Sequence, residues 1–271
     1  MRMTLCLFLL FCVCAGPATA ETGTKKKIPL PYNYGNVVIN NYSEKNGLAP
    51  VEFDHWLHRS KFTCRLCHVD LAFAMKTGST DIKAADNANG YYCGACHNGQ
   101  TTFGSVKVFP ACSKTNGSGD RKRCERCHSV GKNVKREYDF APFTAKFPKE
   151  RLGNGISWEK AEIEGTIKPV DYLEGISIKR QPLAVQKDFE LHAKAGGMPD
   201  IIFSHQKHTA WNGCELCHPD IFIGVKKGTT KYSMVDIYEG KYCGVCHSTV
   251  AFPMLDCQRC HAKPAGVAQA M

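Results

Sequence analysis

The sequence lacks the long periodic helical runs from which a core of its length is ordinarily built. Its 271 residues include 3 Trp and 7 Met against 24 Gly and 13 Pro, and sustained apolar periodicity of the helical kind is scarce. Apart from Leu5 to Val13 there is no long apolar run, and that one falls short of the roughly 20 residues a bilayer-spanning helix needs. Acidic residues are also few. The 25 Asp and Glu face 35 Lys and Arg, a formal net charge of +10, an imbalance that by itself suggests an anionic partner.

What the chain has in abundance is cysteine, 16 in all. Six Cys-x-x-Cys pairs are each followed at once by His: Cys64/Cys67-His68, Cys93/Cys96-His97 and Cys124/Cys127-His128, then Cys214/Cys217-His218, Cys243/Cys246-His247 and Cys257/Cys260-His261. A zinc knuckle or a thioredoxin-like site also uses Cys-x-x-Cys, but neither requires His directly after every pair. C-x-x-C-H is the attachment sequence of c-type haem. Two thiols three residues apart share one side of a helical turn, where each can add to a porphyrin vinyl group. The adjacent imidazole becomes the proximal iron ligand. Six haem c groups are therefore expected, and electron transfer is the function they imply.

Haem also answers the absences. Porphyrin would replace much of the missing core, so the expected fold is a multihaem cytochrome c with little regular secondary structure, short α-helices and loops around haems. It changes the charge count as well. Six haems bring roughly twelve propionates against one positive charge per ferric core, leaving the loaded protein near neutral. No nucleic-acid partner is expected.

Residues 1–20 read as a signal peptide, with Arg2, the apolar Leu5 to Val13 and a small-residue site at Ala18-Thr19-Ala20. Cleavage would remove Cys6, Cys12 and Cys14 and leave no transmembrane segment. A periplasmic, outer-membrane-associated or extracellular location is expected. Twelve of the remaining thirteen cysteines belong to the motifs. Cys112 stands alone before a polar loop, Ser113 to Asp120, and could be a free thiol, an intermolecular disulfide partner or an iron ligand.

A shift of 150 residues aligns the halves without a gap from about Tyr42 to His97. Phe53-Asp54-His55-Trp56-Leu57-His58 falls on Phe203-Ser204-His205-Gln206-Lys207-His208, and Gly90-Tyr91-Tyr92-Cys93-Gly94 on Gly240-Lys241-Tyr242-Cys243-Gly244. The expected plan is module 1 over 21–142, a haem-free connector over 143–181 and module 2 over 182–271. In the connector, Ser157 reads as the cap of a short helix running to Glu164.

The pattern F-x-H-x-x-H, CxxCH, GxxCGxCH and a third CxxCH resembles the cytochrome c7 triheme domain, of the wider cytochrome c3 family. The resemblance covers about Val51 to His128 and Ile201 to His261. It implies low-potential triheme modules relaying electrons in anaerobic respiration between a donor at the inner membrane or in the periplasm and an outer-membrane or extracellular acceptor. It also implies distal ligands: His55 with His68, His58 with His97, His205 with His218, and His208 with His247.

The third haem of each module lacks the His that the family places before the second CxxCH. Of eleven histidines six are proximal, leaving His55, His58, His205, His208 and His192 for six irons. His192, which the ungapped shift sets against Tyr42, is a candidate for the His128 haem or the His261 haem, the latter favoured because His192 precedes that module. Met234, Met75, Met198 and Met254 are substitute ligands. The His128 haem is left as the irregular site, which keeps open a reductase of small oxyanions, and a conductive filament subunit is the remaining alternative.

Overall fold

The computed structural model describes residues 29–112, 121–134, 138–181, 187–193, 197–224, 226 and 228–262. Residues 1–20, expected to form a signal peptide, and the polar stretch 113–120 lie outside these. Regular structure is sparse and short, and among the described residues no helix is long and apolar enough to cross a membrane.

Each half opens with an antiparallel hairpin. Strand β1 (Val37–Ile39) pairs with β2 (Val51–Phe53), Val37 opposite Phe53 and Ile39 opposite Val51. The second half repeats this later in the chain, with Phe189 opposite Phe203 and Leu191 opposite Ile201. Helix α1 (His55–Arg59) follows β2 directly. Helix α2 (Ala84–Ala88) then leads into the second attachment motif.

The hairpin registers correct the repeat alignment at its start. Val51 follows Ile39 by twelve positions, whereas Ile201 follows Leu191 by ten. The loop in the second hairpin is two residues shorter, so His192 corresponds to Asn40 and not to Tyr42. An ungapped shift cannot register a deletion inside a turn.

Beyond α2 the first half carries its extra residues in two places. One is the small hairpin of β3 (Thr102–Phe103) and β4 (Val106–Lys107). The other follows Pro110 and precedes α3 (Arg121–Glu125). The connector contributes α4 (Phe140–Phe143) and α5 (Trp158–Ile163). Ser157 is the N-cap residue of α5 and Glu164 its C-cap, as the sequence suggests, although the Ser157 side chain takes no capping bond. In the second half the hairpin strands are β5 (Phe189–Leu191) and β6 (Ile201–Phe203). They lead to α6 (His205–Asn212), α7 (Met234–Tyr238) and α8 (Cys257–Cys260).

The polypeptide's own core forms around the connector. Trp56, Ile156, Trp158, Ala161 and Ile167 are buried together, with Phe140, Phe143, Phe147 and Trp211 packed against them. All three tryptophans of the chain are gathered there. The Arg59 guanidinium reaches this core from α1, 4.6 Å from the Trp158 ring and 5.5 Å from the Trp211 ring, and its Nη1 donates to the Val250 carbonyl at 2.7 Å. The connector thus packs against both halves.

Candidate haem centres

The attachment motifs occupy single helical turns. The amide of His97 donates to the Cys93 carbonyl at 2.8 Å, and equivalent bonds tie His128 to Cys124, His218 to Cys214, His247 to Cys243 and His261 to Cys257 at 2.8–3.0 Å. The first motif instead runs into a π-turn over Leu66–Asp70. At the second motif of each half the inner glycine is fixed by contact. A Cβ on Gly94 would stand 1.9 Å from the Asn87 carbonyl oxygen, and one on Gly244 1.9 Å from that of Ile237. The CGxCH glycine is therefore the place where the turn passes beneath α2 or α7.

Every histidine has its Nδ1 engaged. Ten donate to backbone carbonyls: His55 to Gly35 at 2.7 Å, His68 to Phe73 at 2.8 Å, His97 to Phe109 at 3.2 Å, and His247 to Phe252 at 3.2 Å. His58, His128, His205, His208, His218 and His261 do likewise. His192 donates to the Asp200 carboxylate at 3.0 Å. Such bonds set the tautomer and leave Nε2 as the free lone pair, which is the outer-shell arrangement of metal-binding imidazoles. The carbonyls that accept from His128 and His261 belong to Ala49 and Pro199, 150 positions apart. The third motifs are thus structural equivalents despite the insertion.

Three of the four expected distal pairs are brought together, one parallel and two tilted. The rings of His55 and His68 have centroids 6.3 Å apart and planes within 6°. His58 and His97 are 6.3 Å apart at 55°, and their repeats His208 and His247 are 6.4 Å apart at 57°. Two imidazoles bonded through Nε2 to opposite sides of one metal, with bonds of about 2 Å, place their centroids about 6.3 Å apart. The phenylalanine of F-x-H-x-x-H holds the pair in place: Phe53 stacks on His58 and meets His55 edge-on, and Phe203 does the same with His208 and His205.

The fourth pair is not joined in this way. His205 makes its ring contacts with Phe189 and Phe203, and His218 with Phe222. His192 is exposed, but its partner Asp200 follows Pro199, whose carbonyl receives His261. Among the described residues neither His128 nor His261 makes a ring contact with another imidazole.

Burial tunes these groups for ligation. It lowers the pKa values of His55, His58 and His247 to about 4, only partly offset by the backbone bonds, so the rings are neutral at pH 7. Burial also pushes the thiols of Cys67, Cys93 and Cys246 up to about 12. These are thiols of an apolar enclosure rather than reactive thiolates.

The enclosure is a cavity of about 2490 Å³ running through both halves, well beyond the ~300–1,000 Å³ of ordinary ligand pockets. Every attachment cysteine except Cys124 and every histidine except His128 lines it, as do Met75, Met198, Met234 and Met254. Arg59 also lines it, and its buried Nε has no hydrogen-bond acceptor among the described residues. Paired imidazoles, thiols beside them and a buried cation wanting a carboxylate suit haem groups with their propionates.

A family model, cytochrome c7 and related cytochrome c, matches residues 51–129 and 201–263. The chain belongs to the cytochrome c7 family. It is a multihaem c-type cytochrome with tandem triheme modules and haem c as cofactor. Among solved structures, a c7-type three-haem cytochrome domain is 36% identical over 28% of this chain and 93% of that one, with a TM-score of 0.26. The C-terminal hexahaem fragment of a dodecahaem cytochrome is 24% identical over 84% of this chain and 96% of that one, TM-score 0.24. The whole dodecahaem cytochrome c is 25% identical over 85% of this chain and 75% of that one, TM-score 0.26. No curated protein matches.

Several parts of these c7 sites are not evident from motif spacing. The accepting carbonyls of Phe109 and Phe252 each precede a proline, and the recurring Phe-Pro dipeptide after His97 and after His247 is the signal that marks them. Cys112 is half-buried, and burial raises its pKa with the nearby Cys124 thiol adding to the effect. It therefore stands at the third attachment motif of the first module.

Proposed function

We propose that this c7 cytochrome relays electrons through six covalent haems, in a periplasmic or extracellular step of anaerobic respiration. Each haem supplies a one-electron ferric–ferrous couple. The polypeptide supplies attachment, axial imidazoles and a low-dielectric enclosure. In this proposal His68, His97, His128, His218, His247 and His261 are proximal ligands. His55, His58, His205 and His208 are the distal ligands opposite His68, His97, His218 and His247 respectively, and His192 serves the His261 site. The modules take residues 21–142 and 182–271, joined by 143–181, and redox proteins on either side of the periplasm are the partners.

The observation that carries the proposal is the His55–His68 pair, parallel and 6.3 Å apart. Two neutral imidazoles closing both faces of an iron leave no position for a substrate, which favours electron transfer over catalysis. Mass spectrometry of the mature protein is expected to show six haems, and low-temperature EPR of the oxidised protein a predominance of low-spin signals.

His128 supports a second, narrower reading. It makes no ring contact with another imidazole among the described residues, and it lies outside the cavity wall. A five-coordinate haem there could bind a small oxyanion or a diatomic gas. Carbon monoxide added to the dithionite-reduced protein discriminates: an unchanged spectrum removes the reductase reading, and a change equal to one haem in six supports it.

A further inference from the structure

The first attachment segments of the two halves meet each other. Arg65, inside Cys64-x-x-Cys67, and Glu215, inside Cys214-x-x-Cys217, hold equivalent places in the repeat with opposite charges. Two more charged side chains join them. Arg65 Nη1 donates to Asp70 Oδ2 at 3.1 Å, Arg180 Nη1 to Asp70 Oδ1 at 2.6 Å, and Arg180 Nε to Glu215 Oε1 at 2.8 Å. The Asp70 and Arg65 side chains are 1% and 3% exposed, so the middle of this chain is dry. Arg65 is fastened further to the connector, with Nη2 2.6 Å from Asp171 Oδ2.

Packing agrees with the charges. Gly213 immediately precedes Cys214, and a Cβ there would fall 2.5 Å from Arg65 Cδ. The backbone of the fourth motif thus rests on the stem of a residue from the first. The third motif of the first half is fastened within its own half instead. The Glu52 amide donates to the Cys127 carbonyl, and the Val130 amide to that of Pro50.

We propose that Arg65, Asp70, Arg180 and Glu215 form an inter-module clamp that makes the haems carried at Cys64/Cys67 and at Cys214/Cys217 neighbours across the junction. The modules are then coupled first site to first site. A tandem order read along the chain would instead place the third site of module 1 beside the first site of module 2. Buried ion pairs of this kind specify one arrangement more than they add stability, and a duplicated protein needs its two copies held in one register. The inference rests on the electron-relay proposal, since only then does the identity of the neighbouring haems matter.

Proton NMR of the fully reduced holoprotein tests it through NOE cross-peaks between substituents of different haems. Cross-peaks linking the Cys64/Cys67 haem to the Cys214/Cys217 haem are expected. Their absence, or cross-module peaks arising from the Cys124/Cys127 haem, would overturn the proposed junction. For the clamp, Arg180→Gln is expected to weaken those cross-module peaks several-fold, leave peaks within each module intact, and be partly rescued by Arg180→Lys. The milder Glu215→Gln, at the half-exposed end, should act in the same direction. Unchanged cross-module peaks in both variants would refute the clamp. Haem content by mass, measured on the same sample, tests the relay proposal separately.

Discussion

The imidazole of His55 lies parallel to that of His68, its plane 6° away and its centroid at 6.3 Å. They come from different elements, one from the start of α1 and the other from the turn after Cys67. Each is oriented by a separate carbonyl, Gly35 for one and Phe73 for the other. Replacing His55 by Met should keep one haem six-coordinate but raise its potential by on the order of 0.1 V, a fraction of the ~0.8 V range that axial ligands span. Spectroelectrochemical titration would show one component displaced upward. If every component stays in place, His55 is not an axial ligand.

Gly94 has no room for a methyl group, because the Asn87 carbonyl oxygen occupies the position 1.9 Å away. Gly94→Ala must move either the attachment turn or the end of α2. Overpacking of this kind costs about 1–3 kcal/mol. Chemical denaturation of the holoprotein should show that loss, and Gly244→Ala should reproduce it in the second module. Gly90, with open space around it but φ of +88°, should cost about 1–2 kcal/mol through backbone strain when changed to Ala.

The haem sites were legible in the sequence to the extent that their chemistry is local. Thioether attachment demands two cysteines and a histidine within one turn, and F-x-H-x-x-H compresses two candidate ligands and the ring that packs on them into another. The acceptors of Nδ1 were not legible, because a carbonyl leaves no side-chain signature. The same holds for the connector. Ser157 marks the start of α5, but nothing local shows that Trp158 will share a core with Trp56 and Trp211 from the two modules. Misplacing His192 against Tyr42 has a similar cause, since strand register and not side-chain similarity reveals the shorter hairpin loop.

That shared core predicts cooperative unfolding. Trp158 is buried, holds its indole N–H on Asn154 Oδ1 at 3.1 Å and lies under the Arg59 guanidinium. Trp158→Ala should destabilise the holoprotein by about 3–5 kcal/mol and shift the unfolding of both modules together. Soret absorption and far-ultraviolet circular dichroism would then keep coincident midpoints. A connector acting only as a tether would leave the midpoints within about 0.5 kcal/mol of the parent protein.

Tyr34 makes the contact between the halves depend on alkaline pH. Its hydroxyl donates to the Ala251 carbonyl at 2.6 Å, and burial raises its pKa from the ordinary 10.0 to about 12, with the Arg59 charge opposing the rise. Between those values the unfolded chain has lost the phenolic proton while the folded protein keeps it. The unfolded state therefore binds fewer protons, and stability falls as pH rises. The contribution is complete below pH 10 and gone above about pH 12. Because the ring is only half-buried, solvent screening limits the effect to about 1 kcal/mol. Tyr34→Phe should cost about 1 kcal/mol at neutral pH through the lost hydrogen bond. Its stability curve should then approach that of the parent protein as pH rises from 10 to 12, because the variant has no phenol to ionise. A gap that stayed constant across that window would mean that the Tyr34 hydroxyl titrates normally and is not closed off between the two halves.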